Sequence, residues 1–331
     1  MGKIKGQRIK LLYLADIFKK YTDEEHPLNA SELIEKLEDM GIPVERKAIY
    51  GDISLLCEYG LDIIKTRVPK PGFYLASRDF EVPEIYLLAD AVQAADFISH
   101  KKSRELIKKL EGMLSENEAG EISRRVYIDN RSKCENEEIF YSIDAASRAI
   151  SDSKKLSFKY CKRSLKNGKM ETSEKQMKVS PYALVWADDH YYLICNYEKY
   201  DNLMHLRLDR MKKAVISDDA ARDFREVSEY KTGFDVADYA SKAFSMFGGE
   251  QGSITLRCEN DKLEQVIDRF GDKISIRESD DKSFLFEAKA LISEGLVNWI
   301  MQFGDSISVV KPESLREAIK EKCEKIYANY K

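Results

Sequence analysis

The sequence predicts an α+β chain of several domains. In order these are a winged helix-turn-helix, a helical connector, a small antiparallel β-barrel or strongly bent sheet, and a C-terminal ferredoxin-like βαββαβ unit. Three observations predict it. The chain has 331 residues, too many for one ordinary core. Apolar residues recur at helical spacing through three short stretches near the start, and a turn rich in breakers follows them. Beyond residue 154 the period changes to two over several short runs, and the last eighty or so residues then alternate strand-like and helix-like segments.

Residues 7–22 space Ile9, Leu12, Tyr13 and Ile17 as the inner stripe of a first helix. A second helix begins at Asn29, with Glu32 three residues on to complete a capping box, Leu33, Ile34 and Leu37 inside, and Gly41 as its stop. A third runs from about Glu45 to Tyr59. Ile49, Ile53 and Leu56 face inward there, and Arg46, Lys47, Tyr50 and Ser54 are left outside. Leu61–Thr66 and Gly72–Ala76 read as strands around Pro69-Lys70-Pro71-Gly72, which gives the unit 1–79 a wing. Residues 84–114 continue as one long helical pattern through Ile85, Leu88, Val92, Ala95, Ile98, Leu106, Ile107 and Leu110. The apolar stripe Ile85–Ile98 suits either an interior connector or a homodimer contact. Residues 80–138 therefore read as connector and linker, with one short strand at Arg125–Ile128.

A helix from Ile139 to Ser151 leads into the next domain, 139–218. Lys155–Cys161 alternates, Lys162–Lys175 with Gly168 reads as a hairpin tip, and Lys178–Ile216 holds three apolar runs separated by polar turns. In the last run His205, Arg207 and Asp209 share one face, opposite Met204, Leu206 and Leu208. Residues 219–252 read as a linker. In 253–331, strands at Ile254–Cys258, Lys273–Arg277, Phe284–Ala290 and Ser306–Val310 alternate with helices at Lys262–Phe270, Glu294–Phe303 and Pro312–Tyr330.

Charge and composition narrow the function. The net charge of −4 is unevenly spread: residues 154–178 carry nine Lys or Arg against two Glu. Local clusters set the potential that a partner meets, and this one suits an anion. No apolar run approaches bilayer length and no export signal leads the chain, so a cytoplasmic protein with no membrane association is expected. Six scattered cysteines read as reduced thiols. With no Gly-rich phosphate loop, no metal-ligand spacing and no nucleophile elbow, neither a cofactor, a metal nor catalysis is expected. On the third helix, Arg46, Lys47 and Tyr50 lie where a major-groove helix reads bases, with Ser54 one turn on. Lys65, Arg67 and Lys70 of the wing suit phosphates.

This order of units, with Tyr191-Tyr192-Leu193 and then Leu206-Arg207-Leu208-Asp209-Arg210-Met211, resembles the WYL-domain transcriptional regulators of bacteria. Tyr191 stands where that family has its Trp, Leu206 where an aromatic is common, and Glu45 where a Ser or Thr often caps the recognition helix. The resemblance implies an Sm-like barrel at 139–218 that senses a ligand, nucleic-acid-like ligands being favoured, and a family C-terminal extension at 253–331. By position it implies a polar wall of Ser180, Tyr182, Tyr192, His205, Arg207 and Arg210. The expected partners are a double-stranded DNA operator, a nucleotide or single-stranded nucleic acid effector, and a second copy of the chain. The alternative is a nucleic-acid or nucleotide binding module that regulates a partner enzyme.

Overall fold

Three helices share one core at the start of the chain: α1 (Gly2–Tyr21), α2 (Ala30–Asp39) and α3 (Arg46–Tyr59). The computed structural model describes residues 2–125, 133–272 and 274–331, and the chain divides into two units, residues 1–135 and 136–331. Leu14, Ile17 and Phe18 of α1, Leu33 and Leu37 of α2, and Ile49, Ile53 and Leu56 of α3 are all buried in that core. The α1 stripe thus lies one step round from the expected one. Ile17 is inside, but Ile9 is 42% and Leu12 66% exposed, because Leu14 and Phe18 form a wider apolar face with Ile17. The capping box of α2 is present in full. Asn29 Oδ1 accepts from the backbone N–H groups of Ser31 and Glu32 at 2.9 and 3.1 Å, and the Asn29 N–H donates to Glu32 Oε2 at 2.7 Å.

Strands β1 (Ile63–Thr66) and β2 (Gly72–Leu75) form an antiparallel hairpin in the register Ile63↔Leu75 to Thr66↔Gly72. Leu28 adds a bridge to Phe73, with N–H to carbonyl distances of 2.9 and 2.8 Å in the two directions. This close approach requires Gly72, where a Cβ would stand 2.9 Å from the Leu28 carbonyl carbon and oxygen. Thr22 Oγ1 accepts from the Leu75 N–H at 3.1 Å, and Arg78 donates to the carbonyls of Lys19 and Thr22 at 2.8 and 2.6 Å, which satisfies the end of α1.

The long helical pattern expected over 84–114 is two helices, α4 (Val82–Ala94) and α5 (His100–Glu111), followed by α6 (Glu116–Arg125). At Ala95 the backbone is extended, with ψ of 100°, and Ser99 caps the new helix by accepting from the Lys102 N–H at 3.2 Å. The buried Lys133 ammonium closes the break, donating to Val92 and Ala95 carbonyls at 3.2 and 3.3 Å and to Ser103 Oγ at 2.8 Å. A cation at a helix C-terminus meets the negative end of the helix dipole. Ile85, Ala95 and Ile98 of the expected dimer stripe are buried within the unit, whereas Leu88 is exposed. The strand expected at Arg125–Ile128 lies outside the described residues except for Arg125, which ends α6.

The second unit opens with α7 (Ile139–Ser151) and an antiparallel sheet of β3 (Lys154–Lys166), β4 (Lys169–Ala187), β5 (His190–Asn196), β6 (Leu203–Arg207) and β7 (Met211–Ala220). The strand order is β6-β5-β4-β3-β7. β4 pairs with β3 along its first half and with β5 along its second, with a bulge between Pro181 and Ala183 where the partner changes. Proline lacks a ladder donor, so a bulge is where a long strand accommodates it. Leu208–Arg210 form a 3-10 turn instead of continuing β6, and Asn136 pins that turn by donating to Asp209 and Met211 carbonyls at 3.0 and 2.7 Å.

Residues 219–252, read from sequence as a linker, are packed. They carry a 3-10 turn at Phe224–Glu226 and α8 (Val236–Lys242), and Tyr239, Ala243 and Met246 are buried against Ala183, Val185 and Ile194 on one side and Leu291 on the other. Beyond them lie β8 (Glu250–Glu259), α9 (Leu263–Phe270), β9 (Ser275–Ser279), β10 (Ser283–Ile292), α10 (Glu294–Met301), β11 (Ile307–Lys311) and α11 (Glu313–Asn329). Their antiparallel sheet runs β11-β8-β10-β9 over a core of Ile254, Leu256, Phe286, Leu296 and Ile300.

Candidate functional site

Helix α3 presents the first set of candidates. Its inner residues are fixed by the core, so Arg46, Lys47, Tyr50 and Ser54 project outward and are exposed. Arg46 is the first helical residue, following Glu45, whose side chain makes no cap hydrogen bond. Tyr50 leans edge-on to Phe73 of β2 with ring centroids 6.1 Å apart, which ties the outer face of the helix to the hairpin. Ser54 Oγ donates to the Tyr50 carbonyl at 3.1 Å. On the hairpin, Lys65 and Arg67 are exposed, the Lys65 ammonium lying 5.8 Å from the Phe73 ring. Lys70 is engaged instead: its ammonium is 2.6 Å from Glu32 Oε1, the carboxylate that completes the capping box. Lys10, an α1 residue, bonds Asp52 Oδ2 at 2.6 Å from beneath α3.

The six residues of the expected polar wall fall into three places. Ser180 and Tyr182 hold one stretch of backbone: Ser180 Oγ accepts from the Arg222 N–H and the Tyr182 hydroxyl donates to the Arg222 carbonyl, both at 2.9 Å. Tyr182 also packs between Phe224 and Phe234, and burial pushes its hydroxyl far above the usual phenol range. These two side chains clamp the start of residues 219–252, the strap packed on β4 and β5, rather than face a common opening.

His205 forms the second place. Its cross-strand partner is Ile194, and the ring meets the Tyr239 hydroxyl of α8 at 2.8 Å through Nε2. Burial pushes its pKa down to about 4, against a smaller opposing effect of a hydrogen bond to the Met246 backbone. It is a neutral imidazole, covered by the strap.

Tyr192, Arg207 and Arg210 make up the third place, and here the parts converge. Tyr192 pairs across the ladder with Arg207, so the two side chains lie on one face. Arg207 forks Asp209, with Nε to Oδ1 at 3.0 Å and a second guanidinium nitrogen to Oδ2 at 2.6 Å. Burial opposes the charge of the Arg207 guanidinium, and the bonds to Asp209 outweigh it and raise its pKa. The 3-10 turn swings exposed Arg210 back toward the same spot, where its charge acts on Tyr192 and on Tyr160, both raised chiefly by burial. The result is a fixed guanidinium, a second exposed one and two phenols. That set can bind an anion through the guanidinium groups and stack a planar ring on Tyr192, Tyr160 being buried behind it.

Sequence reasoning missed five participants. Tyr160, read as one of the alternating β3 residues, accepts from the Arg207 N–H at 3.3 Å and joins the Arg210 cluster. Asp209 was on the expected face, but its role as the fork that orients Arg207 depends on the turn. Arg222 was hidden in the assumed linker. Arg269, on α9, lines a cavity of about 360 Å³ together with Ser241, Gly271 and Lys289, donates to the Ala243 carbonyl at 2.6 Å and stacks on Phe244 at 3.9 Å. Asp188, in the β4–β5 turn, acts electrostatically on both Tyr192 and Arg269. Only Asp188, four strands earlier in the chain, could have signalled Arg269, and nothing in the local pattern singles it out.

Among the described residues there is no cluster of His, Cys, Asp or Glu able to hold a metal ion, and no helix is long and apolar enough to cross a membrane. No curated protein matches the chain. Among solved structures, it is similar to the proteasome accessory factor B/C (PafBC) of Arthrobacter aurescens, at 18% identity and a TM-score of 0.30, over 94% of this chain and 47% of that one. The chain thus spans about half of that protein's length. It is also similar to a CRISPR Cas-related protein, at 14% identity and a TM-score of 0.39, over 75% of this chain and 72% of that one. Likenesses at these scores carry no argument about function. The family models are more specific: residues 142–216 match the WYL domain and residues 250–327 the WCX domain. The chain carries a WYL domain followed by a WCX domain.

Proposed function

We propose that the protein is a ligand-responsive, DNA-binding transcriptional regulator of the WYL type. In this reading residues 1–79 are a winged helix-turn-helix, α7 through β7 an Sm-like barrel, and β8 through β11 a ferredoxin-like unit. The strand orders β6-β5-β4-β3-β7 and β11-β8-β10-β9 support the last two assignments. A pair of chains reads a two-fold operator through Arg46, Lys47, Tyr50 and Ser54 of α3, while Lys65, Arg67 and Lys70 neutralise phosphates, Lys70 after leaving Glu32. The WYL domain binds an anionic effector, a nucleotide or short single-stranded nucleic acid, at Tyr192, Arg207 and Arg210, with Tyr160 beside them. Ser180, Tyr182 and His205 act behind this set by holding the strap.

The observation that carries the proposal is the WYL match over residues 142–216 coinciding with a forked Arg207–Asp209 pair that sits beside two phenols and a second arginine. An effector shifts DNA binding only as far as it binds two arrangements of the chain unequally. The test is fluorescence anisotropy on genomic fragments and random duplex at physiological salt, with Arg46→Ala and Arg207→Lys variants. Fragment-specific binding lost in Arg46→Ala supports the DNA half. Nucleotide or oligonucleotide binding weakened about tenfold in Arg207→Lys, which keeps the charge and loses the fork, supports the effector half. Wild-type affinity no better for any fragment than for random duplex overturns the regulator reading.

A further inference from the structure

Strands β3 and β4 run on past the body of their sheet as a two-stranded ribbon. From Lys162 to Ser173 every residue is exposed, and the register continues without a break from Lys162↔Ser173 to Lys166↔Lys169. The ribbon closes on Asn167-Gly168 with φ of 50° and 74°, the twist-matched turn of a tight hairpin. A hairpin that buries neither face gains little stability of its own. This one nevertheless carries a large apolar pair near its tip: Leu165 and Met170 are direct cross-strand partners, 76% and 71% exposed.

Cations surround the pair. Lys162, Lys166 and Lys169 lie on the opposite face and Arg163 on the same face, against one carboxylate, Glu171, which stands 3.7 Å from Lys166 at the surface. An exposed pair at that distance holds Lys166 weakly. Positive charge on both faces matches a groove walled by phosphates on two sides, and a flat anionic surface would meet only one face. A two-stranded ribbon fits the major groove in width, and apolar side chains at the tip of an inserted element can wedge between base steps.

We propose that this ribbon is a second nucleic-acid contact: it enters a groove of duplex DNA, sets Leu165 and Met170 against the base edges, and holds the flanking phosphates with Lys162, Arg163, Lys166 and Lys169. The proposal rests on the reading that the chain binds DNA. It adds a site outside α3 and outside the effector cluster, one that contributes affinity and duplex bending but little base discrimination.

The experiment uses the full chain, the genomic fragment it binds most tightly, and that fragment labelled at both ends to report bending. A variant with Lys162, Arg163, Lys166 and Lys169 all changed to Gln lowers the slope of log affinity against log salt by about 3.6, as expected for about four phosphates released. A Leu165→Ser, Met170→Ser variant keeps that slope, loses the bend, and binds about tenfold more weakly. All substituted side chains are exposed, so circular dichroism should be unchanged in both variants. If the wild type binds its fragment and both variants match it in slope, bend and affinity, the ribbon proposal is overturned while the DNA reading stands. If the variants differ instead in self-association by light scattering, the tip belongs to a contact between copies and the proposal is again overturned. If the wild type binds no fragment, both readings fall together, and Arg46→Ala shows this independently by changing nothing.

Discussion

His205 gives the most quantitative test of how the second unit is held together. Its ring is pushed from an ordinary 6.5 to about 4 by burial beneath Tyr239 and Met246. The unfolded chain therefore takes up a proton near pH 6.5, and the folded chain only near pH 4. Between these values the unfolded state binds more protons, so stability contributed at neutral pH is lost as the pH falls. Above about pH 6.5 the contribution is constant. The loss reaches about 1.4 kcal/mol at pH 5.5 and about 2.6 kcal/mol at pH 4.5, from about 1.36 kcal/mol per tenfold difference in proton affinity. The neighbours do not offset it: the Tyr239 hydroxyl is neutral, and Asp238 is engaged by Lys242 and the Tyr230 hydroxyl, each at 2.6 Å.

The assay is urea denaturation of wild type and His205→Gln from pH 7.5 to 4.5. Carboxylate effects are common to both proteins and cancel in the difference. Near neutral pH the variant is less stable by about 1 kcal/mol, the scale of one lost hydrogen bond. That gap should vanish at about pH 5.9 and be reversed by about pH 5.5, where the loss exceeds it. Proton NMR of the ring should show no titration near 6.5. A gap that stays constant with pH, or a ring that titrates at an ordinary histidine value, would refute the burial argument and with it the claim that the strap covers His205.

Three further outcomes are open to simple measurement. Asn29→Ala removes the side-chain acceptor of the α2 capping box, leaving the Asn29 N–H bond to Glu32, and should cost about 1 kcal/mol in denaturation, with faster hydrogen exchange at Ser31 and Glu32. Gly72→Ala places a methyl 2.9 Å from Leu28 backbone atoms that cannot rotate away, and should lower stability by about 1–3 kcal/mol and the melting temperature of the first unit with it. Phe286→Ala empties a fully buried position in the C-terminal core and should cost about 3–5 kcal/mol by the same assay, with the first unit unaffected.

Local chemistry made much of the fold legible. The α2 capping box is written in Asn29 and Glu32, two groups three residues apart, and no distant contact competes with it. The inner face of α3 is equally local, because Ile49, Ile53 and Leu56 are its strongest apolar repeat. Where two faces of a helix are both apolar, pattern alone chooses poorly. In α1 both Ile9-Leu12 and Leu14-Phe18 are spaced for a stripe, and only packing against α2 and α3 selects the second. The connector failed differently. Its period runs unbroken from Ile85 to Leu110, and the interruption at Ala95 depends on Lys133, nearly forty residues away, taking the freed carbonyls.

The site was harder to read for a related reason. Alternation places His205, Arg207 and Asp209 on one face, and β6 does present His205 and Arg207 so, while Asp209 lies in the 3-10 turn that follows. What it could not show is that this face is divided. The strap 219–252 covers the His205 end, turning a candidate contact into a mostly covered neutral base, and the 3-10 turn at Leu208–Arg210 leaves the Arg207 end open and brings Arg210 round to it. Ser180 and Tyr182 are spent on the backbone of Arg222 in the same segment. One stretch, misread as a linker because its apolar residues follow no single period, therefore decides which polar residues remain available. Substitutions within it, such as Tyr239→Phe or Phe234→Ala, should alter effector binding at Arg207 without touching the cluster itself, and a change confined to stability would mean that the strap only fills space.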